Sequence, residues 1–280
     1  MPRYFPKYIE YVYLPTLVFE NRQKQLLPSK IISFPQNKIS LKYGTIIRYI
    51  NTENLQVHYK IDVDYLSKNQ IKINRHKFFA NNNEISLVVE QMMEKAQEAL
   101  FPMVCNLKPT GEIFQIANYE EIQNRWENVI KPELNRYYKQ KLAKKIIIKL
   151  DLFYQNIRMK TSILNQNQFF NFFCLPIYRN YAHIETNEIS IYFPSIKKVA
   201  IYETEFILDR EYSKSRKIII KVKGIEIETA LNINEKKGII ELKYKLNADD
   251  FTIYSIAGFV NTFSKNKINT IEFQLFEQKK

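Results

Sequence analysis

The stretch Leu55-Gln56-Val57-His58-Tyr59-Lys60-Ile61-Asp62-Val63-Asp64-Tyr65 alternates apolar and polar residues without a break. Leu55, Val57, Tyr59, Ile61, Val63 and Tyr65 fall on one side; Gln56, His58, Lys60, Asp62 and Asp64 fall on the other. Successive side chains of an extended chain point to opposite faces, so a period of two predicts a strand with one dry and one wet face. Antiparallel neighbours are expected at 45–50 and 70–79, with turns at 51–54 and 67–69.

Beyond this sheet the period changes. Asn81-Asn82-Asn83 opens a helix whose apolar members Ile85, Val88, Val89, Met92, Ala96, Ala99 and Leu100 recur at three and four residues, up to Pro102. Met92 and Met93 are read as core packing rather than as an adaptable binding face. Residues 103–117 read as a hairpin around Lys108-Pro109-Thr110-Gly111. Asn118 with Glu121 matches a capping box at the start of another helix. Pro132, at a favourable first-turn position, restarts helical pattern that runs to about Leu164 with an interruption near Asp151. Phe169, Phe170, Phe172 and Phe173 then crowd ahead of Pro176. In the last hundred residues, alternating runs near 188–193, 198–208, 216–233, 238–246, 251–260 and 268–276 predict an antiparallel meander.

Strands, then helices, then strands again predict an α+β fold. Its extended, curved antiparallel sheet takes strands from both the N-terminal and C-terminal parts and packs against two to four central helices. The expected organisation is a proline- and aromatic-rich arm over 1–40 and a single α+β domain over 41–280. Within that domain 41–80 is β-rich, 83–175 mainly helical with the 103–117 hairpin, and 184–280 a meander. Pro2, Pro6, Pro15, Pro28 and Pro35 forbid a long helix or central strand in the arm.

Composition narrows the chemistry. Only five of 280 residues are glycine, too few for the close-approach turns that phosphate loops and nucleophile elbows demand. His58, His76 and His183 are the whole histidine supply, and none has a partner at metal-ligand spacing. His58 and Asp62 share a strand face but sit roughly 13 Å apart along it. Asp62/Asp64 and Glu226/Glu228 read as solvated charge ladders rather than as opposed catalytic carboxylates. Ser195–Lys198 and Ser264–Lys267 match the S-x-x-K spacing without its helix or its companion motifs. No catalytic residue, metal site or cofactor is expected. Cys105 and Cys174 fit buried thiols of a reducing compartment, or one bridge if the chain is exported.

The net charge is +13, carried mostly by lysine, with only ten arginines. Lysine, asparagine and isoleucine are abundant together, as an AT-rich coding sequence would produce. Basic residues also cluster: Arg136, Lys141, Lys144, Lys145 and Lys149 lie within the predicted helices, and Lys141, Lys145 and Lys149 share a face at a spacing of four. Met1-Pro2-Arg3-Tyr4-Phe5-Pro6-Lys7 has no continuous apolar stretch of the signal-peptide kind, and no window reaches the roughly 18 apolar residues of a membrane span. A cytoplasmic location is expected, or a periplasmic one if a leader has been removed.

The leading expectation is a non-catalytic binding or assembly module, an adaptor or structural subunit of bacterial type. It would meet a protein partner through the basic helix and the arm tyrosines Tyr4, Tyr8 and Tyr11. The second is a carrier of an apolar ligand. A long antiparallel sheet with helices inside, plus the Phe169–Phe173 cluster, resembles the half-barrel architecture of bacterial lipoprotein-carrier proteins. That resemblance implies an apolar ligand in the half-barrel, near Trp126, Phe169, Phe170 and Phe173, although those carriers work behind a signal peptide. The third is nucleic-acid or other acidic-surface binding through the basic helix.

Overall fold

The computed structural model describes residues 25–50, 54–81, 83, 87–159, 164, 166–183, 185–212, 214–227 and 236–278. The arm tyrosines Tyr4, Tyr8 and Tyr11 lie outside these residues.

In chain order the elements are β1 (Gln25–Leu26), β2 (Ile39–Ile50), β3 (Leu55–Leu66), β4 (Gln70–Ala80), α1 (Val88–Gln97), β5 (Met103–Leu107) and β6 (Ile113–Ile116). Then come α2 (Tyr119–Arg125), a π-helical turn (Trp126–Ile130), α3 (Lys131–Tyr137), α4 (Lys141–Gln155) and α5 (Gln168–Phe173). The chain closes with β7 (Thr186–Phe193), β8 (Lys198–Asp209), β9 (Glu211–Tyr212), β10 (Lys217–Glu226), β11 (Ile239–Asn247), β12 (Ile253–Ser264) and β13 (Lys267–Glu277). Eleven strands form one antiparallel sheet in the order β6-β5-β4-β3-β2-β13-β12-β11-β10-β8-β7, curved but not closed. The join is β13 on β2, with Phe273 opposite Ile47, so both parts of the chain do build one sheet. The short β1 pairs with β9, and Leu27, Ile32 and Phe34 beside it are buried.

Alternation settles which face is dry. Tyr59, Ile61, Val63 and Tyr65 of β3 are buried, as are Ile218, Ile220 and Val222 of β10 and Ile240, Leu242, Tyr244 and Leu246 of β11. The helix α5 plugs the middle of this face. Phe172 packs on Phe273 with tilted rings at 4.8 Å, Phe173 meets Tyr43 edge-on at 5.9 Å, and the Gln168 side chain donates to the Tyr192 carbonyl at 2.7 Å. Asn167 caps it by accepting from the Phe169 amide at 3.0 Å. The hairpin β5–β6 turns as expected through Lys108–Gly111, where Gly111 adopts φ +100°, a conformation that suits glycine.

Three local expectations are corrected. Asn118 does precede the helix and donates to the Glu121 carboxylate at 3.2 Å, but it does not cap a helix amide: its oxygen accepts from the Val104 amide at 2.8 Å and it donates to the Pro102 carbonyl at 3.0 Å. The long helix breaks not near Asp151 but between α3 and α4, where Tyr138 is extended. Asp151 stays helical because its carboxylate is held from outside, by the Trp126 indole N–H at 2.9 Å and the Lys131 ammonium at 2.7 Å. Glu226 is no member of a solvated ladder. It continues the inward register of Ile218, Ile220 and Val222, is 1% exposed, and meets Lys198 at 3.2 Å, the Thr262 hydroxyl at 2.8 Å and the Gly238 amide at 2.9 Å. Its companion Glu228 lies outside the described residues.

Candidate functional site: an apolar cleft between the sheet and two helices

Over β2, β3 and β4 the dry face is not sealed. Two amphipathic helices, α1 and α4, stand above it, and the Tyr154 hydroxyl of α4 donates to the Ala96 carbonyl of α1 at 2.5 Å, setting their relative position. Between the helices and the sheet runs a cleft of about 700 Å³. Its floor is Ile47, Tyr49, Val57 and Tyr59, and its walls include Ala96, Leu100, Ile146, Leu150, Phe153 and Phe170. Val89, Met93 and Lys149, which also line it, are exposed and mark its mouth. Small-molecule sites are concave, mostly apolar and of about 300–1,000 Å³, a range that includes this one.

Besides Lys149 at the mouth, the cleft carries a cation deeper in its wall. Arg75 is half-buried, and its guanidinium lies 5.4 Å from the Phe78 ring centroid, 5.5 Å from Phe101 and 6.0 Å from Tyr59. It donates to the Gln97 side chain. Burial holds its pKa below the usual guanidinium value, opposed by Tyr59, Glu94, Tyr154 and Glu98. A weakly hydrated, planar cation is the charged group that aromatic faces hold best. Arg75 also borders a polar recess of about 400 Å³ with His76, Glu94 and Glu98. The cleft therefore has a long apolar body and one polar flank, the shape an amphiphile requires.

The residues singled out for an apolar ligand divide. Phe170 lines the cleft. Trp126 is fully buried beneath it, stacked on Tyr154 at 4.4 Å, and supports its wall. Phe169 and Phe173 stack on each other at 4.9 Å within the core, as part of the α5 plug. The basic residues Arg136, Lys141, Lys144, Lys145 and Lys149 are all exposed, and of these only Lys149 reaches the cleft. Sequence reading missed Arg75, Tyr59, Leu150 and Met93 as a set. The stripe of α1 and the alternation of β3 were visible signals, but their meeting across a gap is not encoded in either.

The wet face brings one unexpected pair together. Asp62 does not reach His58; it accepts at 2.8 Å from His76 of the neighbouring strand, and His58 stacks on Phe79 at 5.1 Å. Both partners of the Asp62–His76 pair are partly exposed. Among the described residues no group of three or more His, Cys, Asp or Glu is placed to hold a metal, and no helix is long and apolar enough to cross a membrane. Cys105 and Cys174 are buried and unbridged. Burial pushes the Cys105 thiol up to about 12, so it is a poor nucleophile.

An open antiparallel sheet with an apolar cleft on its dry face is the class these features define. No protein family and no curated protein matches the sequence. Among solved structures, one concerned with lipid–protein interactions in lipovitellin is similar over 88% of this chain, at 10% sequence identity and a TM-score of 0.47. This chain spans 25% of that one's length. At that level the likeness says nothing about function.

Proposed function

We propose that this protein binds an apolar or amphiphilic ligand of lipid type in the cleft between β2–β4 and the helices α1 and α4. The cleft itself carries the reading: a cavity of about 700 Å³, lined mostly by apolar and aromatic side chains and open at Val89 and Met93. Burying ten methylenes of an alkyl chain in such a site is worth roughly 8 kcal/mol before the costs of association, enough for useful affinity with no specific polar contact. The half-buried cation, Arg75, would then orient the ligand rather than supply most of its affinity.

The assembly role expected first from the sequence keeps only its basic helix as support, because the arm tyrosines are outside the described residues. Titration with the fluorescent fatty acid cis-parinaric acid tests the cleft. Saturable binding of one equivalent is expected. Leu150→Trp, which fills the cleft from α4, should weaken it at least about tenfold with the melting temperature little changed. Val57→Phe fills it from the sheet side and serves if the first variant unfolds. Absence of saturable binding, or equal binding by both folded variants, would sink the proposal.

A further inference from the structure

The solvent face of α4 mixes two kinds of side chain that a free surface rarely combines. Leu142, Ile148 and Leu152 are 61%, 60% and 56% exposed. Around them stand Lys141, Lys144, Lys145 and Lys149, all exposed. At 100° per residue, Ile148 and Leu152 fall between the lysines on one arc, and Leu142 lies beside Lys149 toward the cleft. The inner face of the same helix is satisfied by Ala143, Ile147 and Tyr154 in the core, so the outer apolar residues are not needed for packing.

Among the described residues no carboxylate neutralises this arc. Asp151 is held by Lys131 and Trp126, Glu127 by Lys131, and Glu133 by Lys95. Lys141, Lys144, Lys145 and Lys149 have no ion pair among the described residues. Four unneutralised lysines call for an anionic partner, and three exposed aliphatic side chains call for an apolar one. A nucleic-acid backbone offers only the first. The interface of an anionic bilayer offers both, phosphate at the lysine ammonium groups and acyl chains beneath them.

We infer that α4 docks this protein on an anionic membrane surface. The helix, about 22 Å long, would lie in the plane of the interface with Ile148 and Leu152 inserted and the lysines at headgroup level. The position of Lys149 has a consequence. It belongs both to this arc and to the cleft mouth, where Val89 and Met93 of α1 are also exposed. Docking through α4 would therefore bring the mouth to the bilayer, which is where a lipid-type ligand would enter; that consequence rests on the cleft reading, whereas the docking does not.

Flotation of the full chain with vesicles tests the inference. Vesicles of phosphatidylcholine alone are compared with vesicles that also contain phosphatidylglycerol at about three in ten lipids, at low and high salt. Binding to the anionic vesicles alone is expected, weakened by salt. Lys145→Gln with Lys149→Gln should weaken it about 25-fold, roughly fivefold per lysine. Ile148→Ser with Leu152→Ser should weaken it further and leave the melting temperature unchanged, since both residues are exposed. Leu150→Trp should weaken cis-parinaric acid binding at least about tenfold yet keep vesicle binding, so the two readings fail separately. Equal binding to neutral vesicles, no binding to either, or variants that bind like the wild type would overturn the inference. So would capture of an acidic protein or a nucleic acid through α4 by a chain that ignores vesicles.

Discussion

Thr45 sits on the dry face of β2 with its hydroxyl buried and without a hydrogen-bond partner. Removing a buried donor that bonds to nothing relieves a desolvation cost, so Thr45→Val should raise unfolding free energy by roughly 1 kcal/mol in urea titrations. Glu226 presents the opposite case. Lys198→Met would leave its carboxylate buried without its cation and should cost about 3 kcal/mol, whereas pairing it with Glu226→Met should recover much of that loss. A double change as costly as the sum of the singles would show that the pair is not coupled. Neither residue announced itself equally. The inward phase of Ile218, Ile220 and Val222 does extend to Glu226, so its burial was legible in the period of two. The orphan hydroxyl of Thr45 was not, because it depends on what lies across the sheet. The Asp62–His76 pair was hidden for a similar reason: it forms between strands, and its geometry follows from register rather than from spacing along the chain.

At the scale of elements, hydrophobic periodicity located almost every strand, because each has one face on the core and a shift of one residue would expose it. Five runs of the meander match β7, β8, β11, β12 and β13 within a few residues, while the 216–233 run contains β10 but extends past its end at Glu226. Helix ends were less legible. Asn118 has the residue type of a cap but bonds Val104, Pro102 and the Glu121 side chain instead of a helix backbone amide. Asp151 has the type of a breaker but is fixed by Trp126 and Lys131, whose positions only the π-helical turn supplies. That arrangement makes a prediction: Asp151→Ala should leave the buried Trp126 indole N–H without its acceptor and Lys131 with Glu127 alone, and lower the melting temperature by several degrees, with near-ultraviolet circular dichroism of Trp126 altered. The cleft was the least legible feature. It arises where α1 and α4 fail to close over β2–β4, and a gap between elements has no signature within any one of them.

For the whole molecule, the tyrosines buried in a mainly aliphatic core make stability sensitive to alkali. Burial pushes the Tyr49 phenol and the Cys105 thiol up to about 12, and Tyr59, Tyr65, Tyr154 and Tyr181 are raised for the same reason. Each group holds its proton more tightly folded than unfolded. Their contribution is therefore complete below the unfolded values, about 8.5 for thiol and 10 for phenol, and is lost as pH rises toward 12. Denaturant midpoints should be nearly constant around neutrality and fall above about pH 9. A midpoint that rises there would contradict the burial of these rings. The same core leaves one region unsealed, and the reading of the molecule turns on what fills it. Native mass spectrometry of the protein, purified without detergent and exchanged gently into volatile buffer, measures this most directly. The account predicts a one-to-one adduct of lipid mass on the wild type, absent from folded Leu150→Trp. A wild-type protein that is empty after mixing with fatty acid or phospholipid, or an adduct that persists in the filled variant, would contradict it.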